Sequence, residues 1–120
     1  MAFSDDLSSI FDFEDALDKV GGDREILEEI LVVFSESYPD QLNELKNAID
    51  KGDAPIIERT AHTLKGSVGT FSAKKAFETA FRLENMGRDG NLEEAAAVYS
   101  KLEQEVEELE AALRATLSES

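Results

Sequence analysis

The chain has 120 residues, enough for one domain with a modest core, and it contains no cysteine. The lack of cysteine excludes a disulfide framework and a cysteine-based metal site. The formal net charge of −15 argues against binding to nucleic acid or to anionic membranes, because both need basic surface. An acidic N-terminus and the shortness of every apolar run argue against a signal peptide and a membrane span, so we expect a cytoplasmic protein.

Residues 1–22 predict a short N-terminal helical cap. One short helix is predicted from Glu14 to Val20, and the pair Gly21–Gly22 ends it. Before it, four apolar residues indicate a second short helix or an apolar tail laid on the rest of the fold: Phe3, Leu7, Ile10 and Phe11.

Residues 23–117 predict four longer helices, because apolar residues recur at helical spacing and no segment alternates convincingly with period two. The first begins after the N-cap Asp23. Pro39 either breaks this helix or bends it, and helical spacing continues to Asp50. The second begins after the N-cap Asp53 and ends near Thr70.

The other two helices are predicted on either side of a turn at residues 88–91. Ser72 is the predicted N-cap of the third, which uses five apolar residues for packing: Ala73, Phe77, Ala80, Phe81 and Leu83. The fourth starts at a capping-box-like pair, Asn91 and Glu94. Since short loops favour antiparallel neighbours, we expect an all-α fold, an up-down antiparallel four-helix bundle with one or two short N-terminal helices.

The only histidine, His62, falls on the exposed side of the second long helix. At about 100° per residue the apolar positions cluster on the opposite side. These positions are Ile57, Ala61, Leu64, Val68 and Phe71. Glu58, Lys65, Gly66 and Gly69 share the face of His62. A glycine inside a helix costs about 1 kcal/mol relative to alanine, so two of them beside the imidazole indicate that open space is needed there.

This arrangement favours chemistry on a phosphoryl group. A neutral imidazole is a good nucleophile near neutral pH. Phosphoryl transfer requires in-line access and charge neutralisation, which an exposed ring, the ammonium of Lys65 and bare backbone partly provide. Mg²⁺ and an acceptor carboxylate would have to come from a partner.

Residues 61–71 resemble the signature of histidine-containing phosphotransfer (HPt) domains, the phosphorelay modules of two-component signalling. The matching residues are His62, Leu64, Lys65, Gly66 and Ser67, followed by small residues. The family is a helical bundle of about this length, so the resemblance covers nearly the whole chain and treats residues 1–120 as one domain. It implies that His62 is phosphorylated, that Lys65 steadies the phosphoryl group and that Gly66 clears room for a docking receiver domain.

Residues 83–88 resemble the family's next helix, which packs beside the histidine helix. Some members carry glutamine where Glu84 stands, near the histidine, and arginine where Arg88 stands. The chain departs from the family at Ser72, where members usually have glycine.

Two further residues of the histidine face have open interpretations. Glu58 lies one turn before His62 and could orient the imidazole through a hydrogen bond, or simply be solvated. A Glu–His pair without further ligands is poor evidence for a metal site. Gly69, like Gly66, could instead permit close helix packing, but the position of both glycines on the histidine face, away from the apolar stripe, favours access to the ring.

The resemblance implies a phosphorelay intermediate that exchanges a phosphoryl group between His62 and the aspartate of response-regulator receiver domains, with a sensor or hybrid histidine kinase in the same pathway. It implies no cofactor or metal of its own, Mg²⁺ supplied by the receiver, and no autonomous kinase activity. We expect a monomer that forms transient complexes. Residues 59–88 carry six basic and two acidic side chains, which would complement an acidic partner unless they are scattered over the surface.

Three alternatives remain. The chain could be the phosphotransfer domain of a chemotaxis-type histidine kinase, phosphorylated by an ATP-binding domain elsewhere. It could be an acidic helical adaptor that binds partners without chemistry. A hydrolytic or metal-dependent enzyme is the weakest alternative, because no second catalytic group accompanies His62.

Overall fold

The computed structural model describes residues 9–118. No residue in this range is in a β-strand, which confirms the all-α prediction. The range contains five helices of seven residues or more: α1 (Phe13–Lys19), α2 (Arg24–Lys51), α3 (Ala54–Thr70), α4 (Lys74–Asp89) and α5 (Ala95–Ser118). Ser9 and Ile10 are also helical, whereas the predictions for Phe3 and Leu7 lie outside the described residues. None of these helices combines the length and the hydropathy that a membrane crossing requires.

The four long helices close into a bundle. Helix α3 packs most extensively on α4, and the pairs α2–α3, α4–α5 and α2–α5 complete the ring. The largest fully buried side chains come from all four helices and from the turn after α3: Leu27, Leu45, Ile57, Leu64, Phe71, Leu83, Leu102, Leu109 and Leu113. Burial of each such side chain contributes about 1.5–3 kcal/mol, so this shared core is what holds the four helices together.

Helix α2 runs through Pro39 as one helix of 28 residues. The sequence is compatible with either a break or a bend at this point, and the helix is not broken. Proline in a helix interior costs about 3 kcal/mol because it removes one hydrogen bond and crowds the preceding turn. Buried apolar side chains before and after the proline, including Phe34 and Leu42, continue on one face and offset that cost.

Two of the predicted caps are confirmed. The carboxylate of Asp23 accepts hydrogen bonds from the backbone N–H groups of Glu25 and Ile26, at 3.0 and 3.3 Å. That of Asp53 accepts one from Ile56 at 3.3 Å. These bonds satisfy backbone donors that have no partner inside the helix, and they set where α2 and α3 begin.

The prediction of Ser72 as the N-cap of α4 is wrong. Ala73 occupies the cap position, and no side chain caps this helix. Ser72 has a positive φ of 58°, in the left-handed region that favours glycine, and its hydroxyl donates to Asp15 of α1. The departure from the family's glycine therefore places a strained serine at the α3–α4 turn, with a contact to α1 to hold it.

The predicted capping box at Asn91 and Glu94 is also wrong, because α5 begins at Ala95, three residues after the Leu92 start that a cap at Asn91 would set. The backbone N–H of Asn91 donates to the carbonyl of Met86, so Asn91 belongs to the end of α4. The carboxylate of Glu94 binds Arg82 at 2.7 Å instead of closing a cap.

Candidate functional site

The imidazole of His62 projects from the outer face of α3. Its side chain is 65% exposed, whereas the apolar positions on the opposite face, among them Ile57, Leu64 and Val68, are fully buried. The two-sided helix predicted from the 3.6-residue period is confirmed. Because the core holds α3 by its buried face, the ring is presented to solvent on a rigid element.

One edge of the ring is fixed by Glu84 of α4. The Nδ1 atom of His62 lies 3.0 Å from Oε2 of Glu84. The carboxylate side chain is only 5% exposed. An ionised carboxylate only accepts hydrogen bonds, so Nδ1 carries the proton and donates it. The lone pair is then on Nε2, and no hydrogen bond or ion pair within residues 9–118 occupies that nitrogen.

The second oxygen of Glu84 is paired with Lys65. The ammonium of Lys65 lies 2.7 Å from Oε1, and its side chain is 17% exposed. It also lies over the ring of Phe81, at 4.7 Å from the ring centre, within the range of a cation–π interaction. In this structure Lys65 therefore neutralises the carboxylate that orients His62.

Arg88 adds a second cation to the same carboxylate. Its guanidinium lies 3.2 Å from Oε2 of Glu84 and 3.0 Å from the carboxylate of Glu58. Glu58 is thus held by Arg88, and its predicted role of orienting the imidazole is performed by Glu84. The four side chains around His62 form one connected network that links α3 to α4.

The side-chain contacts of Glu84 decide its ionisation. Burial alone would raise the pKa of the Glu84 carboxyl, but the contacts from Lys65 and His62 outweigh burial and lower that pKa below its ordinary value. The carboxyl is consequently ionised at neutral pH and can accept the Nδ1 proton.

The glycines on the histidine face differ in their surroundings. A Cβ atom added at Gly66 would meet nothing within 4 Å, which leaves open space one turn from the imidazole. A Cβ added at Gly69 would lie 3.2 Å from the ring of Phe77. Gly66 therefore fits the predicted role of access, whereas Gly69 lets an aromatic side chain of α4 approach α3.

The family model for the Hpt domain matches residues 29–112, which is most of the chain and includes every residue of the network. The chain belongs to the Hpt domain family. Hpt domains are phosphotransfer carriers, not kinases, and they work with hybrid kinases and response regulators in two-component systems. The resemblance seen in the sequence is thereby confirmed, as is a role in phosphorelay signalling.

Two solved structures share the fold of this Hpt domain. Histidine-containing phosphotransfer protein B from Pseudomonas aeruginosa PAO1 superposes with a TM-score of 0.79, at 24% identity, over 92% of this chain and 96% of that one. The HPT domain of a sensor hybrid histidine kinase from Shewanella gives a TM-score of 0.80, at 17% identity, over 93% of this chain and 97% of that one. No curated protein sequence matches the chain. At these identities the two structures support the four-helix fold alone.

One residue important for the geometry was not singled out from the sequence. Gly87 of α4 faces α3, and a Cβ there would lie 2.6 Å from the backbone nitrogen of Glu58 and 2.8 Å from the carbonyl oxygen of Ala54. Only glycine lets the two helices approach this closely. That approach places Glu84 and Arg88, which lie within one turn of Gly87, against the histidine helix.

Proposed function

We propose that His62 accepts a phosphoryl group on Nε2 from the aspartyl phosphate of one receiver domain and passes it to the aspartate of another. One observation carries this proposal. A buried, ionised carboxylate binds Nδ1 at 3.0 Å, while the opposite edge of a ring that is 65% exposed stays open to solvent. A nucleophile oriented on one side and accessible on the other is what in-line transfer needs.

In this transfer each bond that forms is matched by a bond that breaks. The lone pair of Nε2 attacks phosphorus, an N–P bond forms, and the bond between phosphorus and the acyl oxygen breaks. The receiver's carboxylate leaves with the electron pair. Nδ1 keeps its proton, so the ring gains positive charge that the carboxylate of Glu84 stabilises at 3.0 Å. Transfer to the next receiver reverses these steps.

We assign Lys65 the role of steadying the phosphoryl group. Its ammonium is one helical turn from His62 and shares the carboxylate of Glu84 with the imidazole. A lysine side chain has enough freedom to move its charge between Glu84 and a phosphoryl group on Nε2, because a flexible stem of four methylene groups separates the ammonium from the backbone. Arg88 would continue to neutralise Glu84 during that movement.

The partner has to supply the rest of the site. Within residues 9–118 no group of three or more His, Asp or Glu side chains is arranged to hold a metal ion, so we place Mg²⁺ and the phosphorylated aspartate on the receiver. The space beside Gly66 would admit the approaching receiver backbone. We expect the chain to act as a cytoplasmic monomer in transient complexes, with a sensor or hybrid histidine kinase in its pathway.

The test is phosphotransfer from a phosphorylated receiver domain with Mg²⁺. Wild type should acquire label that is stable in base and labile in acid, as expected of phosphohistidine, and His62→Gln should acquire none. The variant should unfold at the same denaturant concentration as wild type, since the side chain is exposed. Equal labelling of both proteins would refute the assignment of His62.

The same experiment separates the alternatives. If an isolated kinase domain labels the chain from ATP and no phosphorylated receiver does so, the result would indicate a chemotaxis-type phosphotransfer domain. No labelling from any receiver or kinase domain of the same genome, together with unimpaired partner binding by His62→Gln, would indicate an adaptor without chemistry.

A further inference from the structure

Most of the basic residues that surround the histidine in the sequence are neutralised in the folded protein. Residues 59–88 contain six lysines and arginines, and four of these are paired with carboxylates. The pairs are Arg59–Glu44, Lys65–Glu84, Arg82–Glu94 and Arg88–Glu58, at 3.4, 2.7, 2.7 and 3.0 Å. The other two, Lys74 and Lys75, stand in the first turn of α4, about 14–15 Å along the helix axis from Glu84. Three of the four carboxylates lie outside residues 59–88, so the fold cancels most of the positive charge that the sequence concentrates there.

The ammonium of Lys65 is enclosed as well as paired. Its side chain is 17% exposed, and Oε1 of Glu84 lies 2.7 Å away. The sequence pattern assigned Phe77 and Phe81 to the core, but they are 38% and 43% exposed. Their ring centres lie 5.8 and 4.7 Å from the ammonium, within the range of cation–π interactions. Lys65 is therefore surrounded by partners for a cation before any phosphoryl group arrives.

The charges of the network around the imidazole cancel. Its two cations are Lys65 and Arg88, and the two carboxylates bound to them are Glu58 and Glu84. Asp89 adds further negative charge, because contact with Glu58 and the nearby charges of Glu84 and Asp89 raise the pKa of the Arg88 guanidinium. These side chains thus offer no net positive charge to a free anion, in a protein whose formal net charge is −15.

We propose that Glu84 makes His62 selective for phosphoryl donors that bring their own cation, because it keeps Lys65 paired until such a donor binds. A receiver domain carries Mg²⁺ at its phosphorylated aspartate, which offsets the phosphoryl charge before Lys65 moves. A small acyl phosphate such as acetyl phosphate is a free anion. It would have to draw Lys65 away from a carboxylate that is only 5% exposed. This inference rests on the proposed function and adds to it the choice of donor.

Acetyl phosphate could otherwise react at the same nitrogen. Nε2 would attack phosphorus, an N–P bond would form as the bond between phosphorus and the acyl oxygen breaks, and acetate would leave with the electron pair. The ring already permits this attack, because Nε2 lies on the open edge of a side chain that is 65% exposed. Access therefore does not exclude small donors, and positive charge to stabilise the transferring group is what the unbound site lacks.

The test is labelling by radiolabelled acetyl phosphate without Mg²⁺, with His62→Gln as the measure of label elsewhere. Glu84→Gln keeps a side-chain oxygen that can accept the Nδ1 proton but removes the negative charge that holds Lys65. We expect this variant to be labelled about tenfold faster than wild type, since a positive charge a few ångströms from a phosphoryl group stabilises it even in a water-like dielectric. With a phosphorylated receiver and Mg²⁺ it should instead be slower than wild type, because the carboxylate that stabilises the charged ring is gone.

Glu94→Gln is the matched control. It changes the net charge equally and releases Arg82, which lies two residues before Glu84 and so about 200° around α4 from it. Its labelling by acetyl phosphate should stay within about twofold of wild type, because a distant exposed charge is largely screened. The double variant Glu84→Gln/Lys65→Gln should lose the tenfold gain, because it lacks the ammonium that the single variant releases. Denaturant unfolding of each variant establishes that it is folded under the assay conditions.

The outcomes distinguish this inference from the proposed function. If receivers label wild type but acetyl phosphate labels Glu84→Gln no faster than wild type, the selectivity is overturned and the role of His62 stays intact. An equal gain in Glu84→Gln and Glu94→Gln would also overturn it, because overall charge would then decide the rate. A gain that persists in the double variant would exclude Lys65 as its cause and overturn it too. No receiver-dependent labelling of wild type would overturn the proposed function and this inference together.

Discussion

Replacing Gly87 with alanine should separate the histidine helix from its neighbour. The new Cβ would lie 2.6 Å from the nitrogen of Glu58 and 2.8 Å from the carbonyl oxygen of Ala54, and ordinary contacts begin at 3.4 Å. The helices must therefore part by about 0.6–0.8 Å, the differences between 3.4 Å and these two distances. Both obstacles are backbone atoms, so no side chain can rotate away.

The stability change follows from two opposing effects. Overpacking of this kind costs about 1–3 kcal/mol, and contacts this short against backbone fall at the upper end. Alanine gains about 1 kcal/mol over glycine in a helix, so we expect a net loss of about 2 kcal/mol. With an unfolding entropy of about 2.1 cal/mol/K per residue, a chain of 120 residues should melt about 8 °C lower.

The site should respond to the same displacement. Glu84 is one turn before Gly87, and a shift of about 0.6–0.8 Å would lengthen the 3.0 Å contact between its Oε2 and Nδ1 of His62 beyond hydrogen-bond range. Transfer to His62 should then slow at temperatures where the variant is still folded.

Gly66→Ala is the matched control. Nothing lies within 4 Å of a Cβ at that position, so this substitution should raise the melting temperature by about 4 °C while crowding the space beside the imidazole. Calorimetric melting and receiver-dependent labelling measure both effects. A Gly87→Ala variant that melts at or above the wild-type temperature would refute the argument from helix approach.

Two further predictions concern pH. The pKa of Glu84 is lowered, so its ionised form contributes stability that is present above the ordinary glutamate value of about 4.3 and is lost as pH falls toward the lower folded value. In urea unfolding Glu84→Gln should be less stable than wild type at neutral pH, and the gap should narrow below about pH 4; a gap of constant size down to pH 3 would contradict this. Burial and the 2.6 Å hydrogen bond to Glu110 raise the pKa of Tyr38 to about 12, so its neutral form contributes stability that is lost as pH rises from about 10 to about 12. The stability advantage of wild type over Tyr38→Phe should be lost across that interval. The tyrosinate absorbance that wild type has and the variant lacks should appear near the upper end of the interval, at about pH 12.

The helical pattern of the fold was predictable because its determinants are local. The buried face of α3 follows from the spacing of Ile57, Leu64 and Val68 alone, and the caps Asp23 and Asp53 act on backbone within three residues. The prediction that α4 begins at Ser72 failed because serine also tolerates a turn. Ser72 has a positive φ, and its hydroxyl contacts Asp15 of α1, which is distant in sequence.

Part of the candidate site was predictable for the same reason. Exposure of His62 and open space at Gly66 follow from the helical period. Which side chain binds Nδ1 of His62 could not be predicted, because Glu58 on the same helix and Glu84 on the next were both possible from the sequence. Close approach at Gly87 decided between them, and a contact between two helix backbones leaves no signature in the spacing of one helix.

The exposure of His62 has a consequence for the order of events in a relay. A single nitrogen on one face of a bundle measuring 45 × 28 × 19 Å can meet only one receiver active site at a time. If His62 carries the phosphoryl group as we propose, the donor must leave before the acceptor arrives, and in the interval the phosphorylated ring stands in water. The rate of phosphoryl transfer through such a carrier then depends on how fast the donor receiver dissociates compared with hydrolysis of the N–P bond. Tighter binding of either receiver would slow the relay, because affinity is mostly set by the dissociation rate.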